Sequence, residues 1–178
     1  IAGITITAAP QVDSRFIDER QGVPVALAPS GKMPVRFLFG LAPISRQLYW
    51  SIVYQGRNGE IQSSWKALKS FKSDVGSVVG ATPYRTPDGK RFLYVFTLSS
   101  RDGQDHIEFA KFDLESAGTW SPADAAEIES AGGTHCSSVV LLTTTEDVPP
   151  AVRVTTASSH SVVDKQLGTT GGLTGITT

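Results

Sequence analysis

Acid–base chemistry near neutral pH needs paired carboxylates or a poised histidine, and metal chemistry needs several His, Cys, Asp or Glu side chains that converge. In this chain of 178 residues the closest carboxylate cluster is Asp102, Asp105 and Glu108, a combination that suits two-carboxylate hydrolysis of a glycosidic bond. Asp102 falls in the turn Arg101-Asp102-Gly103-Gln104, however, and Glu108 alternates with apolar neighbours as a surface residue of a strand does. The three histidines, His106, His135 and His160, stand singly and far apart, so no ligand triad can be read from them. His135 beside Cys136 is expected to be a core pair and not a zinc site. Asp102-Gly103-Gln104-Asp105 opens like a calcium loop but lacks the closing acid of such loops. There is no G-x-S-x-G stretch. Cys136 is the only cysteine, which excludes an intrachain disulfide and a CxxC motif, and the Val139 to Leu142 run behind it predicts a buried, inert thiol. These residues predict no catalytic group, no metal and no cofactor.

Composition narrows the partners. Hydrophobic residues make up 40%, charged residues 19%, and the formal net charge is −1, so no concentrated basic face is available for nucleic acid or an anionic membrane. No apolar run approaches the roughly 20 residues of a membrane-spanning helix. The longest, Val35 to Pro43, is broken by Gly40 and suits a buried strand. The sole asparagine, Asn58, is followed by Gly59 and Glu60, so there is no N-glycosylation acceptor. The start at Ile1 hints at a removed leader or a boundary within a longer protein, which leaves the compartment open and favours an extracellular one slightly.

Residues 1–178 fit one all-β domain organised by recurrence. Arg36-Phe37-Leu38-Phe39 returns 55 residues later as Arg91-Phe92-Leu93-Tyr94, and Trp65 returns at the same offset as Trp120. Ser45-Arg46 likewise matches Ser100-Arg101. The reading is about three four-stranded antiparallel repeats, approximately 23–74, 75–134 and 135–178, preceded by a detached N-terminal strand over 1–8. In the first repeat the expected strands are Val23 to Pro29, Val35 to Leu41, Leu48 to Gln55 and Glu60 to Trp65. The Asn58-Gly59 pair is a hairpin signal, because type I′ turns require positive φ at both central positions. In the second they are Gly76 to Pro83, Lys90 to Ser99 and His106 to Asp113, after which Ser116-Ala117-Gly118 leads to Thr119-Trp120. The third is fainter, with strands at Ser137 to Leu142, Val152 to Val154, Ser161 to Leu167 and Gly172 to Thr178. Lys66 to Asp74 and Pro122 to Ser130 are expected to be loops or single helical turns, the second because of Ala123, Ala125 and Ala126.

A four-stranded unit of this size cannot cover its own faces and edges. Two architectures solve that problem: a β-propeller, in which each unit is a blade, and a β-trefoil, in which three units form one barrel. Near-continuous apolar second strands favour blades buried on both faces. The run Tyr54-Gln55-Gly56-Arg57-Asn58-Gly59-Glu60-Ile61-Gln62-Ser63-Ser64-Trp65, followed by Leu68 and by Gly76 to Val79, resembles the blade of tectonin-like and related fungal and bacterial β-propeller lectins. The second repeat departs from it, since Phe112-Asp113-Leu114-Glu115 lacks the Asn-Gly, and the third lacks the tryptophan.

The resemblance implies a non-catalytic carbohydrate-binding protein, with glycans as partners. Such lectins stack an aromatic ring on the apolar face of a sugar and hydrogen-bond its hydroxyls in a shallow site. On that basis the ligand-binding candidates are Trp50, Tyr54, Arg57, Asn58, Tyr84, Arg85, Trp65 and Trp120, of which Trp65 and Trp120 also suit packing at repeat spacing. Three blades cannot close a ring of ordinary curvature, so the propeller predicts a homodimer or higher homo-oligomer, two copies making about six blades. The alternatives are a protein-interaction or structural β-module and, further off, a propeller-type glycoside hydrolase. A sialidase-type Asp box fails, because Glu115 stands five residues before Trp120 but Ala117 occupies the glycine position.

Overall fold

The computed structural model describes residues 2–8, 33–56, 58–62, 65–68, 75–101, 103–114, 122–130, 136–143, 145–156, 161–168 and 173–175. They form strands without a helix. The first sheet comprises β1 (Ala2–Ala8), β2 (Met33–Leu41), β3 (Leu48–Gly56) and β4 (Gly59–Gln62), with the short β5 (Lys66–Ala67) also on β3. The second runs β6 (Val75–Arg85), β7 (Arg91–Arg101), β8 (Gln104–Asp113), β9 (Pro122–Ser130). The third runs β10 (Cys136–Leu141), β11 (Ala151–Thr156), β12 (Val162–Leu167), β13 (Leu173–Gly175). Every pairing is antiparallel, each sheet follows chain order, and none of the three closes on itself.

Several expectations change here, among them Lys66-Ala67, which is the short strand β5 on β3 and not a loop or helical turn. The N-terminal strand is not detached: β1 pairs along the whole of β2, with Ile4 opposite Phe37 and Ile6 opposite Val35. It holds the place expected for Val23 to Pro29, a segment outside the described residues. Pro122 to Ser130 is a strand and not a helical turn, since β9 pairs with β8 from Phe112↔Pro122 to His106↔Ser130. Alanine's helix preference is worth tenths of a kcal/mol per residue, whereas pairing satisfies a whole row of backbone donors and acceptors along the edge of β8. The hairpin tip also moves. Gly56 pairs with Gly59, so Gly59 belongs to the ladder and not to the centre of the turn.

Strand alternation explains how the sheets stack. Phe37 and Phe39 on β2, and Leu48, Trp50, Ile52 and Tyr54 on β3, face the second sheet, where Leu93, Val95, Ala110 and Phe112 meet them in one buried cluster. Phe112 sits at its centre, 5.0 Å from the Trp50 ring, 5.8 Å from Phe37 and 6.1 Å from Phe39. The alternate residues of the second sheet, Tyr94, Phe96, Ile107 and Phe109, face the third, where Val152, Val154, Leu167 and Leu173 cover them. The middle sheet is therefore apolar on both faces, which is why its second strand reads as a continuous hydrophobic run.

The sheets are also pinned at their margins. β1 lies against β6 and β6 against β10, with Leu141 over Gly80. Arg46, at φ 55 in the β2–β3 connection, donates from Nε to the Val75 carbonyl at 3.0 Å and from Nη2 to the Gly76 carbonyl, tying the first sheet to the start of β6. The ladder slips there between Val75 and Ser77, and a Cβ on Gly76 would stand 2.7 Å from the Leu98 carbonyl oxygen. Only glycine fits that bulge.

Candidate functional site

The aromatic candidates separate into core and surface. Trp50 is 2% exposed, stacked on Phe37 with centroids 6.1 Å apart and met edge-on by Phe112. Tyr54 is equally buried, and its hydroxyl has no hydrogen-bond partner among the described residues. Burial pushes the Tyr54 phenol upward from its ordinary value. Both rings belong to the contact between the first two sheets, so the expectation that they stack on a ligand is corrected: no face of either is open. They share one face of β3, as strand period dictates, and it is the face that a second sheet covers.

Trp65 is the contrasting case, at 40% exposed. Its Cη2 and Cζ3 atoms lie 3.5 Å from where a Cβ of Gly40 would be. The outer edge of the indole thus rests on bare backbone, on the side of the first sheet that faces away from the second. Tyr49, half-buried, is the register partner of both Gly40 and Ala67.

Asn58 is exposed at the β3–β4 hairpin, while Arg57 lies outside the described residues. That hairpin and Trp65 occupy opposite ends of β3, about 20 Å apart by strand rise, so the structure does not gather them into one site. Near the hairpin Arg36 and Glu60 form an exposed ion pair at 3.1 Å. Trp120 lies outside the described residues.

Tyr84 and Arg85 end β6. Tyr84 is half-buried, 6.4 Å from the Tyr94 ring, and Arg85 is exposed. Burial, with the nearby Tyr84, pushes the Tyr94 phenol up to about 12. Arg85 stands directly across from Arg91, a like-charge pair that Glu146 resolves. The carboxylate accepts from Arg85 Nη2 at 2.8 Å and from Arg91 Nε and Nη2 at 3.0 Å, and its own carbonyl accepts the Arg85 amide at 2.7 Å. The Arg85 hydrogen bond first, then those from Arg91, hold the Glu146 carboxyl below the usual carboxylate range. This is a clamp between the β10–β11 connection and the second sheet. No local signal around Glu146 announces it.

Of the residues weighed for acid–base work, Asp105, His106 and Glu108 are all buried, so Glu108 is not the surface residue that alternation suggested. His106 and Glu108 share a face with Thr97 and Ser99, paired as Ser99↔His106 and Thr97↔Glu108, on the side of the second sheet that looks toward the first. Asp105 accepts from the Ser100 hydroxyl. Asp102, His135 and His160 lie outside the described residues. Among the described residues no three His, Cys, Asp or Glu side chains come together as a metal site, and no helix is long and apolar enough to cross a membrane.

The outward face of the third sheet is the feature that sequence reasoning missed. Val140 and Val162 are 52% and 58% exposed there, on either side of a forked ion pair in which Arg153 donates to both Asp164 oxygens at 2.7 and 2.9 Å. The outward face of the first sheet is different, since Ser51 and Val53 on it are buried. No protein-family model, no curated protein and no solved structure matches the chain.

Proposed function

We propose that this chain is a non-catalytic carbohydrate-binding module made of blade-like sheets, as in the propeller lectins that its hairpin-and-tryptophan stretch resembles. The observation that carries the reading is Trp65: an indole with its outer edge seated on Gly40 and 40% of its surface open, while Trp50 and Tyr54 are spent on the core. A ring anchored at one edge with 40% of its surface open is suited to the apolar face of a pyranose. Three sheets that each run four strands in chain order, the first with β5 added on β3, and whose first strands lie against one another, support the blade-like arrangement. A glycan array read with the wild type and with Trp65→Ala tests it. Binding lost on substitution is the expected result, silence of the wild type across a broad array overturns it, and turnover of aryl glycosides would replace it with the hydrolase reading.

A second reading, a protein-interaction module, is favoured by the open outer face of the third sheet, where Val140 and Val162 stand exposed. A ring of about six sheets from two copies requires both outer faces to be free, and the buried Ser51 and Val53 on the first sheet speak against it. The interaction reading predicts that Val140→Lys with Val162→Lys leaves the unfolding midpoint of the isolated chain unchanged. A fall in that midpoint would mean that the face is already covered by the chain's own packing.

A further inference from the structure

We infer that the outer face of the third sheet is a self-complementary surface that docks onto the same face of a second copy of this chain. The inference rests on the second reading above, that this face is an interface, and names its occupant. Val152, Val154 and Leu167 turn inward to the second sheet. Val140, Arg153, Thr155, Val162 and Asp164 alternate with the inward residues and face away.

The register sets out this surface in rows. Val140, Arg153 and Asp164 form one row across β10, β11 and β12, and Thr155 with Val162 begins the next. At its centre the Arg153 fork grips both oxygens of Asp164. That pairing holds the Asp164 carboxyl below its ordinary range and the Arg153 guanidinium above its own. The patch is thus electrically neutral, flanked by exposed valines, and carries one positive and one negative group side by side.

A two-fold axis lying between two such faces, parallel to the strands and midway between β11 and β12, exchanges those two positions. It sets each Arg153 over Asp164 of the second copy and each Val162 over Thr155 of the second copy. No other partner is needed to supply the complementary charge, because the pattern is its own complement under that axis. The other end of the stack argues the same way. Head-to-tail addition would need the outer face of the first sheet, where Ser51 and Val53 are already buried, so an isologous pair is favoured over a ring or a filament.

The size of the contact sets its strength. Strands about 4.8 Å apart, with β10, β11 and β12 of six residues and β13 of three, give at ~3.3 Å per residue a face of roughly 330 Å², hence about 650 Å² buried in total, below the standard size of stable complexes and in the range of transient ones. The dimer is therefore expected to be weak and concentration-dependent.

Sedimentation equilibrium over loadings from about 1 μM to ~1 mM tests this. The expected result is a mass that climbs from one chain toward two. Val140→Lys, Val162→Lys and Arg153→Asp should each weaken association by about 10-fold or more, with unfolding followed in parallel by circular dichroism to show that each variant is folded. Combining Arg153→Asp with Asp164→Arg exchanges the charges, keeps both the internal pair and the cross-axis pattern, and should restore the wild-type mass curve. A wild type that stays at one chain mass throughout overturns the inference, as does a dimer indifferent to both lysine substitutions. The unfolding midpoint of the lysine variants judges the interaction reading separately, so its failure can be told apart from this one.

Discussion

Glu146→Gln measures how far charge welds the β10–β11 connection to the second sheet. In the folded chain the carboxylate receives Arg85 Nη2 at 2.8 Å and two groups of Arg91 at 3.0 Å. The side chain of Arg91 is 8% exposed, that of Glu146 29% and that of Arg85 43%. A charge-assisted hydrogen bond contributes about 1.5–3 kcal/mol, but the Arg85 arm is open enough to water that screening reduces it to about 0–1 kcal/mol. The Arg91 arm carries more, because glutamine would leave a buried guanidinium facing a neutral amide. A loss of about 2 kcal/mol at pH 7 is expected from these contributions. The pH dependence has a definite sign. A carboxylate whose folded pKa is depressed stabilises fully above its unfolded value of about 4.3 and loses that contribution as pH falls through the folded value. The gap between wild type and variant should hold from neutrality to about pH 5 and shrink in stronger acid. Urea unfolding of both proteins at about pH 7, 5 and 3 reads it directly, and acid titration common to both cancels in the difference. A gap below about 0.5 kcal/mol at pH 7, or one that survives acidification unchanged, would refute the reasoning. Arg91 would then be held by packing and its other partners, and not by this charge.

The remaining predictions concern the core and the candidate ligand ring. Trp50→Ala should cost about 3–5 kcal/mol in denaturant unfolding, because it empties the space that Phe37 and Phe112 enclose; a loss under 1 kcal/mol would contradict that packing. Trp65→Ala should instead reduce glycan affinity by about 10-fold or more while the protein still unfolds cooperatively, and a variant that binds as the wild type does would remove Trp65 from the site. Gly76→Ala should destabilise by about 1–3 kcal/mol, since its Cβ would meet the Leu98 carbonyl at 2.7 Å; neutrality would mean that the bulge can shift. In an ultraviolet alkaline titration Tyr94 should ionise only near its folded value of about 12. Its raised pKa makes its stabilisation complete below the unfolded value of about 10 and lost as pH climbs through the folded one, so a Tyr94→Phe variant that unfolds at the same alkaline pH as the wild type would count against a role for this ionisation.

Much of the strand layout was legible because it depends on local pattern. Lys90 to Ser99, His106 to Asp113, Ser137 to Leu142 and Ser161 to Leu167 each carry strand residues bounded by turn chemistry, and β7, β8, β10 and β12 lie on them within a few residues. What depends on distant partners was not legible. β1 pairs with β2 across a long intervening segment, and nothing in Ala2 to Ala8 names that partner. β9 has a locally helical composition that an available sheet edge overrides. Alternation put Trp50, Ile52 and Tyr54 on one face of β3, but it cannot tell which face of a sheet will receive a neighbour, so core rings looked like ligand rings. Glu146 sits in an ordinary turn and becomes structural only because two arginines from the second sheet arrive beside it.

Val35-Arg36-Phe37 of the first repeat aligns by residue type with Val152-Arg153-Val154 of the third, yet the two triplets do not face the same way. Phe37 faces forward, from the first sheet to the second, whereas Val154 faces backward, from the third sheet to the second. The two triplets are out of phase by one residue in the only sense that matters for packing, since a one-residue shift moves every side chain to the opposite face. The stack itself supplies the reason. Its first sheet meets the second through its forward side and its last through its backward side, while the middle one is apolar on both. An apolar pattern obedient to burial must therefore invert between the first and last sheets, and alignment by apolar identity then matches opposite faces. Sorted by facing, the forward position held by Phe37 in the first sheet and by Tyr94 in the second falls in the third to residues such as Arg153, exposed and paired with Asp164. The chain changes from aromatic to ionic at the position where its own stack ends, and that change makes the third sheet's outer face the place to look for whatever this protein meets.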